Sequence, residues 1–401
     1  MKKLVTFVSM ILLVAFLASC TQGAAPAATD VAAGDTVELT AKEQWLQTNQ
    51  LGAYDTGVQD WAAIETAAKA EGELLVYANS SKVEKAAEAF MELYPEITVQ
   101  AFDLGGDDVY MKTVEEQKAE AFTGDVWLSS GGANLVGEVM PKEYVWRFVP
   151  DNMVDLIPDE YTHPLVMTRL GTSIFAYNSE LNETCPISNI WELTEPEWQG
   201  KFFIEDPLND ASTLSKLLTI VSHADEMNAA YVSFYGSEPV LDADTPTVGW
   251  LWLKRFAANG PTPEPGGDEV DSAFATPGMT DNYLAFGSYS NYPDVQEGNL
   301  VFEPCFGLDP IVGIQSQSYV GIINQAPHPN AAKLWVRFIL SEEGRDPWAK
   351  FGTFFTDSSY VVEEGQLTLD EMQAISWMID EQFAFENLVA GRDFYLINLG
   401  D

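Results

Sequence analysis

Apolar residues along this chain fall into short continuous runs, separated by small polar loops and by segments in which they recur every three or four positions. The run Glu73-Leu74-Leu75-Val76-Tyr77-Ala78 is of the kind covered on both faces of a parallel sheet, so it predicts a buried strand. Asn79-Ser80-Ser81 follow, and helical spacing then holds from Val83 to Tyr94, where Pro95 stops it. A second strand is predicted at Ile97 to Phe102, after which Leu104-Gly105-Gly106-Asp107-Asp108 opens a helix through about Phe122. The third strand, Asp125 to Leu128, ends at Ser129-Ser130-Gly131-Gly132-Ala133-Asn134, again before a helical stretch. Three successive units of strand, polar loop and helix predict a parallel α/β sheet with right-handed crossovers.

The pattern resumes further on. Thr172 to Tyr177 and Phe202 to Glu205 read as strands, and Asp206-Pro207-Leu208-Asn209-Asp210-Ala211-Ser212-Thr213 leads into a helical Leu214 to Ala224. Asn259 to Asp268, rich in Pro and Gly, reads as a loop, while Asp370 to Asp401 reads as helical and then extended. The chain's start is different. Lys2 and Lys3 precede an apolar run from Leu4 to Leu17, and small residues lead to Cys20, which predicts a signal peptide over 1–19. Leu17-Ala18-Ser19-Cys20 resembles the bacterial lipobox, which implies lipidation of Cys20. The run falls short of the roughly 18 apolar residues that span a bilayer, so acyl chains are the expected anchor. Residues 20–39, Ala-rich and without hydrophobic period, read as a tether.

Composition sharpens this in two ways. A hydrophobic fraction of 46% and 11 Trp indicate packed interiors, and 401 residues exceed what one core usually covers, so two lobes are expected. Sixty-one acidic against 20 basic residues give a net charge of −41, a surface that repels nucleic acid and anionic lipid. The carboxylates are scattered, which suits solubility better than a dedicated cation trap. Cys185 and Cys305 either pair as a disulfide or sit as two buried thiols. His163, His223 and His328 are too far apart for a recognisable metal spacing, and no metal ligand set is named.

In sheets of this kind the loops at the carboxyl ends of strands line the ligand crevice, where helix N-termini offer free N–H groups. The candidate ligand residues are therefore Asn79, Ser80, Ser129, Ser130 and Gly131 from the first half of the chain. Asp206, Ser212, Thr213, Asn282 and Tyr283 are their counterparts from the second. Hydroxyl and backbone donors suit an oxygen-bearing solute or a synergistic anion, Tyr283 would add an aromatic face or a phenol contact, and Asp206 could instead meet an ammonium group.

Tyr177-Asn178-Ser179-Glu180-Leu181, Trp191-Glu192-Leu193, Pro196-Glu197-Trp198-Gln199-Gly200-Lys201 and Asp206-Pro207 share order and spacing with a known passage, as does Ala326-Pro327-His328-Pro329-Asn330-Ala331-Ala332-Lys333-Leu334-Trp335. Over about Glu73 to Gly352 the chain resembles the extracellular solute-binding proteins of ABC importers, in the two-lobed branch with iron(III), polyamine and thiamine carriers. Where iron carriers place adjacent tyrosines, this chain departs with Asn282-Tyr283 and the separated Tyr289 and Tyr292.

The resemblance implies a two-lobed periplasmic-binding-protein type II fold, each lobe a mainly parallel sheet flanked by helices. Lobe 1 would be 40–175 plus 309–401 and lobe 2 would be 176–308, with crossings near Phe175 to Asn178 and Phe306 to Val312. It further implies capture of a small molecule or metal complex, hinge closure and delivery to an ABC permease, with no cofactor, from a lipid anchor on the outer side of the cell membrane. Two other classes are weighed against it. An exported hydrolase would need a catalytic motif, and no Gly-x-Ser-x-Gly, His-Glu-x-x-His or Gly-x-x-x-x-Gly-Lys-Ser/Thr occurs. An acidic surface lipoprotein with an adhesive or structural role would bind no small molecule tightly.

Overall fold

The computed structural model describes residues 38–400. The predicted signal peptide, Cys20 and all but the last two residues of the tether lie outside the described residues. Among the described residues no helix is long and apolar enough to cross a membrane.

The chain enters through the helix Trp61–Glu71, which Asp60 starts by accepting from the Ala63 N–H and Gly72 ends at φ 73°. That left-handed turn is open to glycine at little cost and delivers the chain into β1 (Glu73–Ala78). β2 (Thr98–Asp103) and β3 (Val126–Ser129) pair with β1 in parallel on its two sides, as the three apolar runs predict. β4 (Val145–Trp146) is short, and β5 (Val166–Asn178) is 13 residues long. In the second half come β6 (Phe202–Glu205), β7 (Thr262–Glu264), β8 (Leu284–Ser288) and β9 (Phe302–Pro304). β10 (Gly313–Ile323), β11 (Thr353–Phe355) and β12 (Ser376–Met378) complete the sheet.

Its order is β2-β1-β3-β10-β5-β8-β6-β7, so the first three strands and the strands of the second half are joined only through β10 and β5. These two pair antiparallel from Gly313↔Ile174 to Val320↔Val166, while the far end of β5 pairs with β8. β5, which contains Phe175 to Asn178, and β10, which follows the segment 306–312, are thus the strands that join the two parts of the sheet. Gly171, at mid-β5, is exposed and leaves the sheet uncovered there.

Two hydrophobic cores flank the crossing. One gathers the buried faces of β1, β3 and the helices Lys82–Leu93 and Pro329–Ile339, with Phe90 packed on Trp335 and Phe338 at 5.3 Å each. The other is built around Trp191, Trp252 and Phe256. Val270, Phe274 and Phe302 join the first core although the sequence reading put 176–308 in the second lobe. The C-terminus also differs from its reading. Instead of ending extended, it forms the helix Glu381–Asn398, whose Tyr395 is buried in the second core, as are Ile311, Ile314 and Ile379 from the same 309–401 segment. Asn259 to Asp268 is not all loop, since Thr262–Glu264 adds an edge strand parallel to β6.

Two links tie distant segments together. Cys185 and Cys305 form a disulfide across 120 residues of chain, with Cα atoms 5.0 Å apart. Asp125, fully buried just before β3, accepts from the N–H groups of Leu75 and His328, both at 2.8 Å, and meets His328 Nδ1 at 2.9 Å. Burial pushes this carboxyl upward and the three hydrogen bonds pull against it. His328 thus serves to fasten the helix Pro329–Ile339 to the sheet.

Candidate functional site

The carboxyl ends of β1, β2 and β3 come together as expected. Asn79 follows β1, Gly106 and Asp107 follow β2, and Ser130 and Gly131 follow β3, with Asn79 Nδ2 donating to Ser130 Oγ at 2.7 Å. Facing them is Asn209 to Ser212, the loop that follows β6 and starts the helix Ala211–Ser222. Asp210 caps that helix by accepting from Thr213 N–H. Between the two sets lies a cavity of about 180 Å³, closed on a third side by Ile379, Glu381 and Leu388.

A larger depression of about 620 Å³, around Trp146, Arg147 and Asp159, is walled by residues 52–57 and 140–164, on the near side of the crossing strands. The smaller cavity is the better candidate because both halves of the molecule contribute to it, which is the geometry that couples binding to closure.

Its lining carries the carboxyls of Asp107, Asp210 and Glu381 and no Lys or Arg. Glu381 is 9% exposed, and burial, with Asp380 adding to it, pushes its carboxyl up to about 8. Gly132 makes room for it, since a Cβ there would lie 1.9 Å from Glu381 Oε1. Across the helix Ala211–Ser222 a second cavity, of about 140 Å³, holds Ser173, Glu205, Thr213, Lys216 and Ser288. Burial drives the Lys216 ammonium down against the opposing pull of Asp210 and Glu205.

Residues 76–346 match the family of bacterial extracellular solute-binding proteins, well over half of the chain. The chain belongs to this family. Solved structures agree on the fold. Iron-bound HitA from Pseudomonas aeruginosa is similar with a TM-score of 0.62 at 17% identity, over 80% of this chain and 99% of that one. The periplasmic binding protein AfuA from Actinobacillus pleuropneumoniae, with exogenous fructose-6-phosphate bound, gives 0.59 at 18%, over 82% and 98%. A ferric binding protein from Campylobacter jejuni gives 0.60 at 15%, over 81% and 99%. No curated protein sequence matches the chain. The mixed α/β architecture on either side of β5 and β10 is therefore the two-lobed periplasmic-binding-protein fold. As a member of the family, this solute-binding protein works outside the cytoplasm, capturing a solute for ABC import and partnering an ABC permease.

Of the residues named from sequence, Asn79, Ser130, Gly131 and Ser212 line the binding protein's candidate cavity. Ser129 lies behind it, with its Oγ accepting from the Gly131 N–H at 3.3 Å. Ser80 is turned away and accepts from Trp348 Nε1 at 3.1 Å. Thr213 faces the second cavity and donates to Glu205 Oε2 at 3.2 Å. Asp206 holds its own turn by accepting from Leu208 N–H and Asn209 Nδ2. Asn282 and Tyr283 do not reach either cavity: Asn282 pairs with Asn182, and Tyr283 packs edge-on against Phe203.

Asp107, Asn134, Asn209, Asp210, Ser215 and Glu381 also line the cavity without having been named as ligand residues. Asn209 stood inside a segment already marked, so its position was within reach. Glu381 was not, because only the fold of a helix 170 residues downstream brings it to the loop that leads into Ala211.

Proposed function

We propose that this chain captures a small neutral or cationic solute in the cavity between Asn79, Ser130 and Gly131 on one side and Asn209 to Ser212 on the other. Closure about β5 and β10 then presents the loaded form to an ABC permease. The observation that carries this reading is the composition of that cavity: hydroxyl, amide and carboxyl groups from both halves, with no Lys or Arg to meet a phosphate. A ferric cargo held by tyrosine oxygens fits poorly. Tyr292 donates to Glu303 at 2.9 Å, and Tyr289 is buried against Phe351 and Phe354.

The division into lobes at about residues 175 and 309 belongs to the same proposal, with the final helix assigned to the second lobe. So does export by a signal peptide over 1–19 with a lipid on Cys20 as the anchor. Expression of Cys20→Ser in a bacterial host tests that anchor: the protein should leave the membrane fraction, and its retention there would remove the lipid from the proposal.

For capture, thermal unfolding is measured against neutral, cationic and anionic solutes. A ligand of the native state raises the melting temperature with its concentration, by roughly 2.7 kcal/mol of stabilisation at one hundred times its Kd. Solution scattering should then show a smaller radius with that ligand. A melting temperature and a radius that respond to no solute would overturn capture in this cavity.

A further inference from the structure

We propose that Glu381 is a ligand-contacting residue and that the cavity takes a solute bearing a protonated amine. This rests on the capture reading above and narrows its substrate class.

Glu381 is brought to the cavity by the C-terminal helix, and its carboxyl lies against Gly132 in the loop that follows β3. More than nine-tenths of the residue is buried, yet among the described residues the carboxyl makes no hydrogen bond and no ion pair. A buried carboxyl without partners costs several kcal/mol, and a protein tolerates it chiefly where something else supplies the missing donors. None of the hydroxyl and amide groups that line the cavity makes a hydrogen bond to it. The charged and titratable groups near it are Asp380 on its own helix, Tyr319 on β10, and Asp107 and Asp210 across the cavity, and no cation is among them. Gln317 adds a further acceptor: its Nε2 donates to the Ile379 carbonyl at 3.0 Å, and its Oε1 is buried without a donor.

The lining therefore offers carboxyls and no cation. A hydroxyl brings one donor and no charge, and an anion would meet three carboxyls. An ammonium group brings three donors and the charge that a buried carboxylate lacks. Burial favours the protonated form of Glu381, and an arriving ammonium would favour release of that proton.

Calorimetric titration of the purified chain with 1,4-diaminobutane and spermidine tests this, with 1,4-butanediol and inorganic phosphate as neutral and anionic probes. One or both amines should bind, and Glu381→Gln should weaken them about 30-fold, the loss of one charged hydrogen-bonded contact. The melting temperature of that variant should hold or rise, because a neutral amide replaces a buried acid. Asp393→Asn, an exposed acid on the same helix, should bind as the parent does. Titrations at pH 7 in buffers of different ionisation enthalpy should show release of up to about one proton per amine bound, absent in Glu381→Gln. Equal affinity of Glu381→Gln and parent for the amines would overturn the assignment of Glu381. Binding of the diol or of phosphate in place of the amines would overturn the amine class while leaving solute capture intact. A chain that neither binds nor compacts with any probe would overturn both.

Discussion

Asp125 and Glu381 are two carboxyls removed from water, and they differ in what meets them. Asp125 is surrounded by two backbone N–H groups and an imidazole, so its burial is offset by hydrogen bonds. Glu381 has no such partners, and its carboxyl stands at about 8, far above the ordinary 4.5. The two values fix how stability depends on pH. Below about 4.5 both folded and unfolded chains hold this proton, and nothing is lost. From there to about 8 the unfolded chain releases it while the folded one keeps it, so the ligand-free protein loses stability as pH rises, and the loss levels off above 8. Glu381→Gln removes that dependence. Its advantage in unfolding free energy should therefore grow between pH 5 and pH 8 by roughly 3 kcal/mol, read from denaturant midpoints at each pH. A pH-independent difference between the two proteins would mean that Glu381 is ionised in the fold and solvated after all.

Among the elements, the strands that could be read from sequence are those buried on both faces. β1 and β3 are short apolar runs because helices cover both sides of the sheet, and that same burial ends abruptly in Asn79 and Ser130, where the cavity begins. The helix Glu381–Asn398 was not legible. It buries Tyr395 and Ala384 but leaves Val389, Leu396 and Ile397 largely exposed, so no regular apolar stripe announces it. Tyr283 failed for the opposite reason: an aromatic beside an Asn suggests a ligand face, but a neighbouring Phe203 on β6 claims the ring. Neither could periodicity decide the fate of Cys185 and Cys305, since pairing depends on a distance set by the whole second core. The bond they form holds the loop after β5 against the end of β9. By restricting a 120-residue loop in the unfolded chain it should contribute about 2–4 kcal/mol. Cys305→Ser, or reduction of the parent, should lower the denaturant midpoint accordingly with the slope little changed, and an unaltered midpoint would show the link to be energetically idle.

At the scale of the molecule the dominant physical fact is a charge of −41, with acidic side chains three times as numerous as basic ones. Surface ion pairs such as Lys69 with Glu65 are partly exposed and individually weak, while Arg345 with Asp357 is buried. Salt acts on both terms, weakening the pairs and screening the repulsion among the surplus carboxylates, and the surplus decides which effect wins. At 0.1 M the screening length is about 10 Å and at 1 M about 3 Å, so repulsion between neighbouring surface acids fades over that range. The melting temperature should therefore rise by several degrees from 10 mM to 1 M sodium chloride. A melting temperature that stays level or falls would mean that the pairs, and not the net charge, govern the folded state. The same field draws cations towards the molecule, so the association rate of an amine ligand should fall over the salt range in which stability climbs. A protein whose grip on its solute is fastest in dilute medium, and whose fold is firmest in brine, would show both consequences of one charge distribution.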